Sequence, residues 1–411
     1  MEGIPKSKKV YGLVDCDSFY ASCEVLRDPK LQGKCVCVGN SNDIILASSY
    51  EAKRYGVKTG TATRDAKKIL WEKMILLSPD FWWYKRVSER LNMLLEEFTL
   101  GTESFSIDET FIDITGYAER YGLSREKFAY YLKLKIKKEV GIPVSIGVGR
   151  SKIIAKLLSD YNKPFGQCSG VEQQTLQRIY NELEVKEVCY IGTASVEKLR
   201  SYCKNITQFT NMDYKTVRKL LGLWGLKVRM ELNGWDVLSF ALPPIPKNIT
   251  RSKSFHPHFT KNPEKLRTYL MYNVDSAYDE MLKHSLGTKY ITVYTRDRDF
   301  QTYRKDIHLP TYCNDKRKLL GVIKQLFTAI TQTPREWRTT GIVFGELKDT
   351  RYNPTGDLFS YHTDMQQEKI YQAKILLSTK FWKDVLISPS ALQLGNKTKP
   401  AMEYLVSMEA S

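Results

Sequence analysis

The sequence predicts an α+β protein in which two small sheets, each with its own helices, flank a helical stretch. Three observations carry this. The order strand, helix, strand, strand, helix, strand can be read twice along the chain. Short helices with glycine turns fill the region between about 171 and 237. The stretch "LSFALPPIPKNIT" (238–250) holds three prolines and no helical period, which marks a linker between the two halves.

In the first half, "KVYGLVDCD" reads as a strand that ends at two carboxylates, followed by the helix "FYASCEVL" with Asp17 or Ser18 as N-cap. An insertion containing "DIILASSYEAKRYGVKTG" occupies about 31 to 71. "SFSIDETFIDIT" alternates apolar residues on both sides of Asp108-Glu109, so it predicts two strands joined by a tight turn. "LSREKFAYYLKLKIKKEVG" is an amphipathic helix with apolar Phe128, Tyr131, Leu132, Ile136 and Val140, Ser124 as cap and Gly141 as stop. "PVSIGVG" is a strand leading into the helix "SKIIAKLLSDY". This order is that of a ferredoxin-like sheet with helices on one face.

Past the linker, the predicted strands are "SKSFHPHF", "KYITVYTRD", "YRKDIHL" and "TTGIVFGEL". The predicted helices are "PEKLRTYLMYNVDSAYDEMLKHS" and "DKRKLLGVIKQLFTAIT". From about 351 the chain reads as a polar turn, one helix around 366–384 and a tail.

Composition narrows the function classes. The 411 residues are 42% hydrophobic and 27% charged, the balance of a soluble globular protein. No stretch approaches the ~18 uncharged apolar residues of a membrane span, and "MEGIPKSKKV" has no apolar signal region. Eight cysteines lie at 16, 23, 35, 37, 168, 189, 203 and 313. Only Cys35 and Cys37 are closely spaced and no second Cys/His pair completes a zinc site, so a reducing cytoplasm is expected. The net charge is +17, and residues 191–350 hold 27 Lys/Arg against 15 Asp/Glu. That asymmetry points to a polyanion, with nucleic acid the first candidate beside a generic solvated basic surface.

The chemistry gathers at "VDCDSFYAS" (14–22). If the first strand neighbours the acidic hairpin, then Asp15, Asp108 and Glu109 meet at one sheet edge. Bare carboxylates so close would repel one another, and some would have to protonate. Divalent cations remove that cost, and oxygen ligands with one or two carboxylates per ion suit Mg²⁺. Two such ions about 4 Å apart stabilise the entering and leaving oxygens of phosphoryl transfer. For Asp17 helix capping is the favoured role; capping accounts for at most one of the other three.

"DCDSFYAS", "SSYEAKRYGVKTG", "SFSIDETFIDI", "VSIGVGRSKIIAKLLSDYNKPFG" and "RSKSF" resemble, in order and spacing, the Y-family translesion DNA polymerases, closest to the UmuC-like bacterial branch. The resemblance covers about 9 to 385. It implies a right-hand polymerase: a ferredoxin-like palm (1–30 and 72–170), small fingers (31–71), a helical thumb (171–237), the linker (238–250), a DNA-binding little finger (251–350) and a C-terminal extension (351–411). It further implies two Mg²⁺ held by Asp15 and Asp108 with the Cys16 carbonyl, and Glu109 as third carboxylate near the primer 3′-OH. Tyr20 becomes a steric gate beneath the sugar, and Phe19 contacts the same sugar and triphosphate region. Tyr50, Lys53 and Lys163 would hold the dNTP triphosphate. The implied partners are primer-template DNA, dNTP and the replication sliding clamp through Leu358 and Phe359. The implied setting is the nucleoid, in DNA damage tolerance, repair, mutagenesis and the SOS response.

Several residues depart from the family pattern. Lys53 stands where Arg is usual and Ala47 where a hydroxyl residue is usual. Lys lacks the planar fork of Arg. Tyr190 takes the first glycine position of the thumb hairpin "YIGT", and Thr355 takes the Gln position of the clamp pattern in "TGDLF". Two other classes compete. A nucleotide cyclase would need a Gly-Gly acidic hairpin, which is absent. A non-catalytic DNA-binding protein that keeps the fold would be expected to lack one of the three acids, and all are present.

Overall fold

The computed structural model describes residues 8–41, 43–238, 246–255 and 259–350. The chain divides into two compact units near residue 241.

The first unit opens with β1 (Tyr11–Cys16) and α1 (Phe19–Arg27). Next come β2 (Cys35–Gly39), β3 (Ile45–Ser48), α2 (Tyr50–Arg54), α3 (Thr63–Leu70) and β4 (Met74–Leu77). Then follow α4 (Phe81–Leu95), β5 (Thr102–Ser104), β6 (Glu109–Asp113), α5 (Tyr117–Arg120) and α6 (Arg125–Glu139). The sheet closes with β7 (Val144–Gly149), α7 (Lys152–Tyr161) and β8 (Gln167–Ser169). As read from sequence, Ser124 caps α6, its hydroxyl accepting from the Lys127 N–H at 3.3 Å.

The main sheet runs β5-β6-β1-β7-β8, with β1 antiparallel to both β6 and β7. Its first four strands have the ferredoxin-like order, and β8 adds a parallel edge. All six residues of β1 are buried, as in a strand covered on both faces. On one face Val14 packs with Phe19, Leu91, Phe128 and Leu132 from α1, α4 and α6. On the other, Tyr11, Leu13 and Phe111 meet Ala155 of α7. The expectation of helices on one face is therefore corrected: α7 covers the second face. Gly147 allows this, since a Cβ there would stand 2.0 Å from the Ala155 carbonyl oxygen.

A separate three-stranded sheet runs β3-β2-β4. The parallel pairing of β2 with β4, Cys35 opposite Met74, joins 74–77 to the segment of 31–71 in one sheet. Helices α8 (Gln173–Glu182), α9 (Thr193–Leu199), α10 (Ile206–Asn211) and α11 (Tyr214–Leu232) enclose a core of Ile179, Leu199, Phe209 and Val217. Ile153 and Leu157 of α7 join that core, so one helix serves the sheet and the helical region together.

The second unit contains β9 (Asn248–Ser254), α12 (Pro263–Lys283), β10 (Leu286–Asp297), β11 (Thr302–Cys313), α13 (Lys316–Thr331) and β12 (Trp337–Gly345). Its element order repeats that of the first unit, but its sheet order is β11-β10-β12-β9, with β9 on the edge. Strand β9 begins at Asn248, inside the stretch expected to be linker, because Ile249 pairs with Phe344 and both are buried. The expected helix at 366–384 and the segment with Leu358 and Phe359 lie outside the described residues. Among the described residues no helix is long and apolar enough to cross a membrane.

Candidate active site

The register of β1 brings the predicted acids together. Asp15 lies opposite Glu109 of β6 and Ser145 of β7. The Cys16 N–H donates to the Asp108 carbonyl at 2.9 Å and pins the acidic turn to the end of β1. Ser106 Oγ stands 2.5 Å from Asp108 Oδ1 and 3.1 Å from Glu109 Oε2, one hydroxyl between two carboxylates.

Two ammonium groups face these acids. Lys156 Nζ on α7 lies 2.9 Å from Asp15 Oδ2, 2.6 Å from Glu109 Oε1 and 2.8 Å from Asp160 Oδ2. Lys163 Nζ lies 2.7 Å from both Asp15 Oδ2 and Asp160 Oδ1. Burial pushes the Asp15 carboxyl up, but Lys156 and Lys163 outweigh it and hold the group below the usual carboxylate range. For Glu109 burial prevails and the carboxyl rises despite Lys156. Lys156 and Lys163 are themselves raised, since their carboxylate partners overcome burial.

The donor set at this edge is all oxygen, which fits a hard divalent ion and not a soft one. Burial, with Asp108 and Asp15 nearby, raises the Cys16 thiol, which keeps it protonated and out of that oxygen set. Among the described residues no group of three or more Asp, Glu, His or Cys side chains is arranged to hold a metal ion. Asp15 and Glu109 converge on an ammonium instead, and the Asp108 carboxylate is held by Ser106.

Asp17 corrects a prediction. It caps no helix: Ser18 occupies the N-cap at φ 49° with no side-chain cap bond. Its hydroxyl accepts from Lys53 Nζ at 2.8 Å. The Asp17 carboxylate is buried and accepts from Ser145 Oγ at 2.9 Å, the Phe165 N–H at 2.7 Å and the Tyr50 hydroxyl at 3.3 Å. It ties β7, the loop bearing Lys163, and α2 to one point. Lys53 Nζ sits 4.3 Å from the centre of the Tyr50 ring, and burial followed by the Lys163 charge lowers its pKa. Arg54 is exposed on the other side of α2, in a cavity shared with Lys34 and Lys73.

Phe19 is buried in the core between the main sheet and its helices. Tyr20 is half-buried, stacked on Tyr84 with ring centres 4.5 Å apart and edge-on to Phe81 at 5.8 Å. Burial and, to a lesser extent, the Asp108 charge raise its phenol. Ser106, Ser145, Lys156 and Asp160 were not anticipated. The i, i+4 spacing of Lys156 and Asp160 was the available signal, since it sets both on one face of α7.

Two family models match the chain: the impB/mucB/samB family over residues 14–160 and that family's C-terminal domain over residues 246–356. DNA polymerase IV of Oceanobacillus iheyensis is 28% identical, covering 91% of this chain and 90% of its own. DNA polymerase IV 1 of Bacillus subtilis is 28% identical and covers 92% of each. DNA polymerase IV of Saccharolobus solfataricus is 28% identical over 81% of this chain and 95% of its own. Among solved structures, a Y-family DNA polymerase chimera superposes with TM-score 0.67 at 23% identity, over 82% of this chain and 98% of its own. An insertion ternary complex of Dbh DNA polymerase superposes with TM-score 0.55 at 23% identity over the same shares. These likenesses concern the fold.

The Asp17 hub has a measurable weight. Asp17→Ala leaves the Ser145 hydroxyl, the Phe165 N–H and the Tyr50 hydroxyl without their acceptor. At roughly 1–3 kcal/mol per stranded buried donor, partly offset by water, the unfolding free energy from urea titration should fall by about 3 kcal/mol. A loss below about 1 kcal/mol would mean these contacts hold nothing together.

Proposed function

The chain belongs to the impB/mucB/samB family of Y-family DNA polymerases, and from that premise we propose that it is a template-directed translesion polymerase. It inserts deoxynucleotides by two-metal-ion nucleotidyl transfer. The observation that carries this reading is the pairing of Asp15 with Glu109 across β1 and β6, with Asp108 tied alongside through the Cys16 N–H.

Asp15 and Asp108, with the Cys16 carbonyl, would hold the metal ions, with Glu109 as third carboxylate. Bound there, two Mg²⁺ supply positive charge to the attacking and leaving oxygens of phosphoryl transfer. The primer 3′-hydroxyl passes its proton to solvent water and attacks the α-phosphorus, and the bond from the α-phosphorus to the bridging oxygen breaks so that pyrophosphate leaves. Glu109 orients that hydroxyl. Tyr50, Lys53 and Lys163 grip the triphosphate by hydroxyl and ammonium contacts. Their support is proximity: Lys163 is already paired with Asp15, Tyr50 with Asp17, and Lys53 with Ser18 beside them. Tyr20 lies under the deoxyribose and leaves no room for a 2′-hydroxyl. Phe19 backs it from the core.

The parts take their family roles: palm, fingers, thumb, and the basic second unit as little finger. In that unit α12 and α13 cover one sheet face, where Ile291, Val293, Ile342 and Phe344 point. By strand alternation and register, Tyr290, Tyr294, Arg296, Arg304 and His308 share the opposite face. This surface suits phosphate contacts that are indifferent to base sequence. Action at the nucleoid in damage tolerance and the SOS response, placement in the UmuC-like branch, and clamp docking through Leu358 and Phe359 complete the proposal; those rest on the sequence resemblance.

Asp108→Ala should abolish nucleotide insertion while DNA affinity stays close to wild type, read from extension rates and binding isotherms on one preparation. Residual extension within about tenfold of wild type, or ~1.4 kcal/mol of barrier, would remove Asp108 from the metal site.

Tyr20→Ala should admit ribonucleotides while deoxynucleotide insertion falls far less than in Asp108→Ala. Because Tyr20 also stacks on Tyr84, a lower melting temperature accompanies the change, within the ~3–5 kcal/mol of a large aromatic truncation. Steady-state insertion of both nucleotide types separates the gate from mere packing. A wild-type ribo-to-deoxy ratio with lowered stability would make Tyr20 a packing residue only.

A further inference from the structure

Lys156 has no role in the proposed reaction, yet its ammonium lies at the centre of the carboxylate edge. Three carboxylate oxygens surround Nζ: Glu109 Oε1 at 2.6 Å, Asp160 Oδ2 at 2.8 Å and Asp15 Oδ2 at 2.9 Å. The side chain is 16% exposed, so these contacts are only partly screened by water. Asp15 Oδ2 receives a second ammonium, from Lys163 at 2.7 Å. A carboxylate oxygen that already faces two ammoniums has little left to offer a third cation. A divalent ion drawing on those same Asp15 and Glu109 oxygens would have to compete with Lys156 Nζ for them.

Asp160 makes that exchange feasible. It gives one oxygen to each lysine, Oδ2 to Lys156 and Oδ1 to Lys163, and its side chain is 44% exposed. It lies one helical turn from Lys156 on α7 and is not among the proposed metal ligands. When Lys156 withdraws from Asp15 and Glu109 it keeps a carboxylate partner, so no bare ammonium is left in a half-buried place.

We propose that Lys156 is an internal competitor for the divalent metal, and that Asp160 is the acceptor that receives it when metal binds. The pair keeps the carboxylate edge neutral before metal arrives and thereby sets the metal affinity. The same exchange frees Lys163 from Asp15 as the triphosphate, a polyanion, comes in, so metal and nucleotide favour each other's binding. The inference rests on Asp15 and Glu109 being metal ligands. Its rival is that Lys156 only fastens α7 to the sheet edge.

Mn²⁺ titrated into the full chain without DNA or nucleotide, followed by loss of the free-ion electron paramagnetic resonance signal, tests it alongside melting curves. Lys156→Met keeps the apolar stem and removes the charge. Its Mn²⁺ affinity should rise about tenfold, the scale expected when a unit positive charge a few ångströms from the ion is removed at a partly buried site. Its metal-free melting temperature should fall and recover on saturation with Mn²⁺. Asp160→Asn should act in the opposite sense and weaken Mn²⁺ binding several-fold. Wild-type uptake with unchanged or weaker binding by Lys156→Met overturns the inference and leaves the metal site standing. If Lys156→Met does not fold, unchanged or tighter binding by Asp160→Asn overturns it instead. Wild-type protein that takes up no Mn²⁺ overturns the metal assignment and this inference together.

Discussion

Charge balance at the end of β1 is the constraint on which the rest of the first unit depends. Asp15 is 4% exposed, and burial of that kind favours a neutral carboxyl. Lys156 and Lys163 reverse the preference, and they can do so only because α7 lies tight against β7. Gly147 permits that approach, and Ile153 and Leu157 hold the other side of the same helix in the core of the helical region. Glycine packing, helix position and the ionised state of a buried acid form one chain of cause. A substitution far from the carboxylates that lifts α7 by an ångström would be felt at Asp15.

Two carboxylates two residues apart acquire different work because their surroundings differ. Asp15 faces ammonium groups and stays charged. Asp17 faces a hydroxyl of β7, a backbone N–H and the Tyr50 hydroxyl, so it orders neutral donors. The first arrangement makes a position that selects cations. The second fixes, relative to that position, the residues proposed to grip an anion. Phe19, Tyr20, Phe81 and Tyr84 wall the same edge with aromatic rings and keep Tyr20 in one orientation.

Local periodicity was enough to read β1, α6 with its Ser124 cap, β7 and α7, because each is encoded within fewer than twenty residues. The acidic hairpin was read one strand out of place, since β5 (Thr102–Ser104) lies ahead of the alternation, and Glu109 opens β6 and does not sit in the turn. That Asp15 and the Asp108-Glu109 segment would share one sheet edge was legible too, since a strand ending in acids next to an acidic hairpin has few other placements. What escaped depends on pairing across long separations. Nothing near Met74 states that β4 will join β2, and nothing in Ile249 alone reveals Phe344 as its partner. The two halves read alike as element strings, yet β9 takes an edge where β1 takes the centre. Asp17 was misread for the same reason. As a local signal it is a good cap, and its actual partners, Ser145 and Phe165, lie more than a hundred residues away. Lys156 meets its acids only through the packing of α7, which no local pattern around it declares.

The central claim is that the acidic edge of the first unit performs metal-dependent nucleotidyl transfer and is not a relic within a DNA-binding protein. Extension of a labelled primer on an undamaged template by the wild-type chain, with all four dNTPs and either Mg²⁺ or EDTA, addresses it most directly. The account predicts template-matched extension with Mg²⁺ and none with EDTA, while a gel-shift on the same samples shows DNA bound in both. DNA bound without extension at any Mg²⁺ concentration would contradict it and leave a binding protein that retains a polymerase fold.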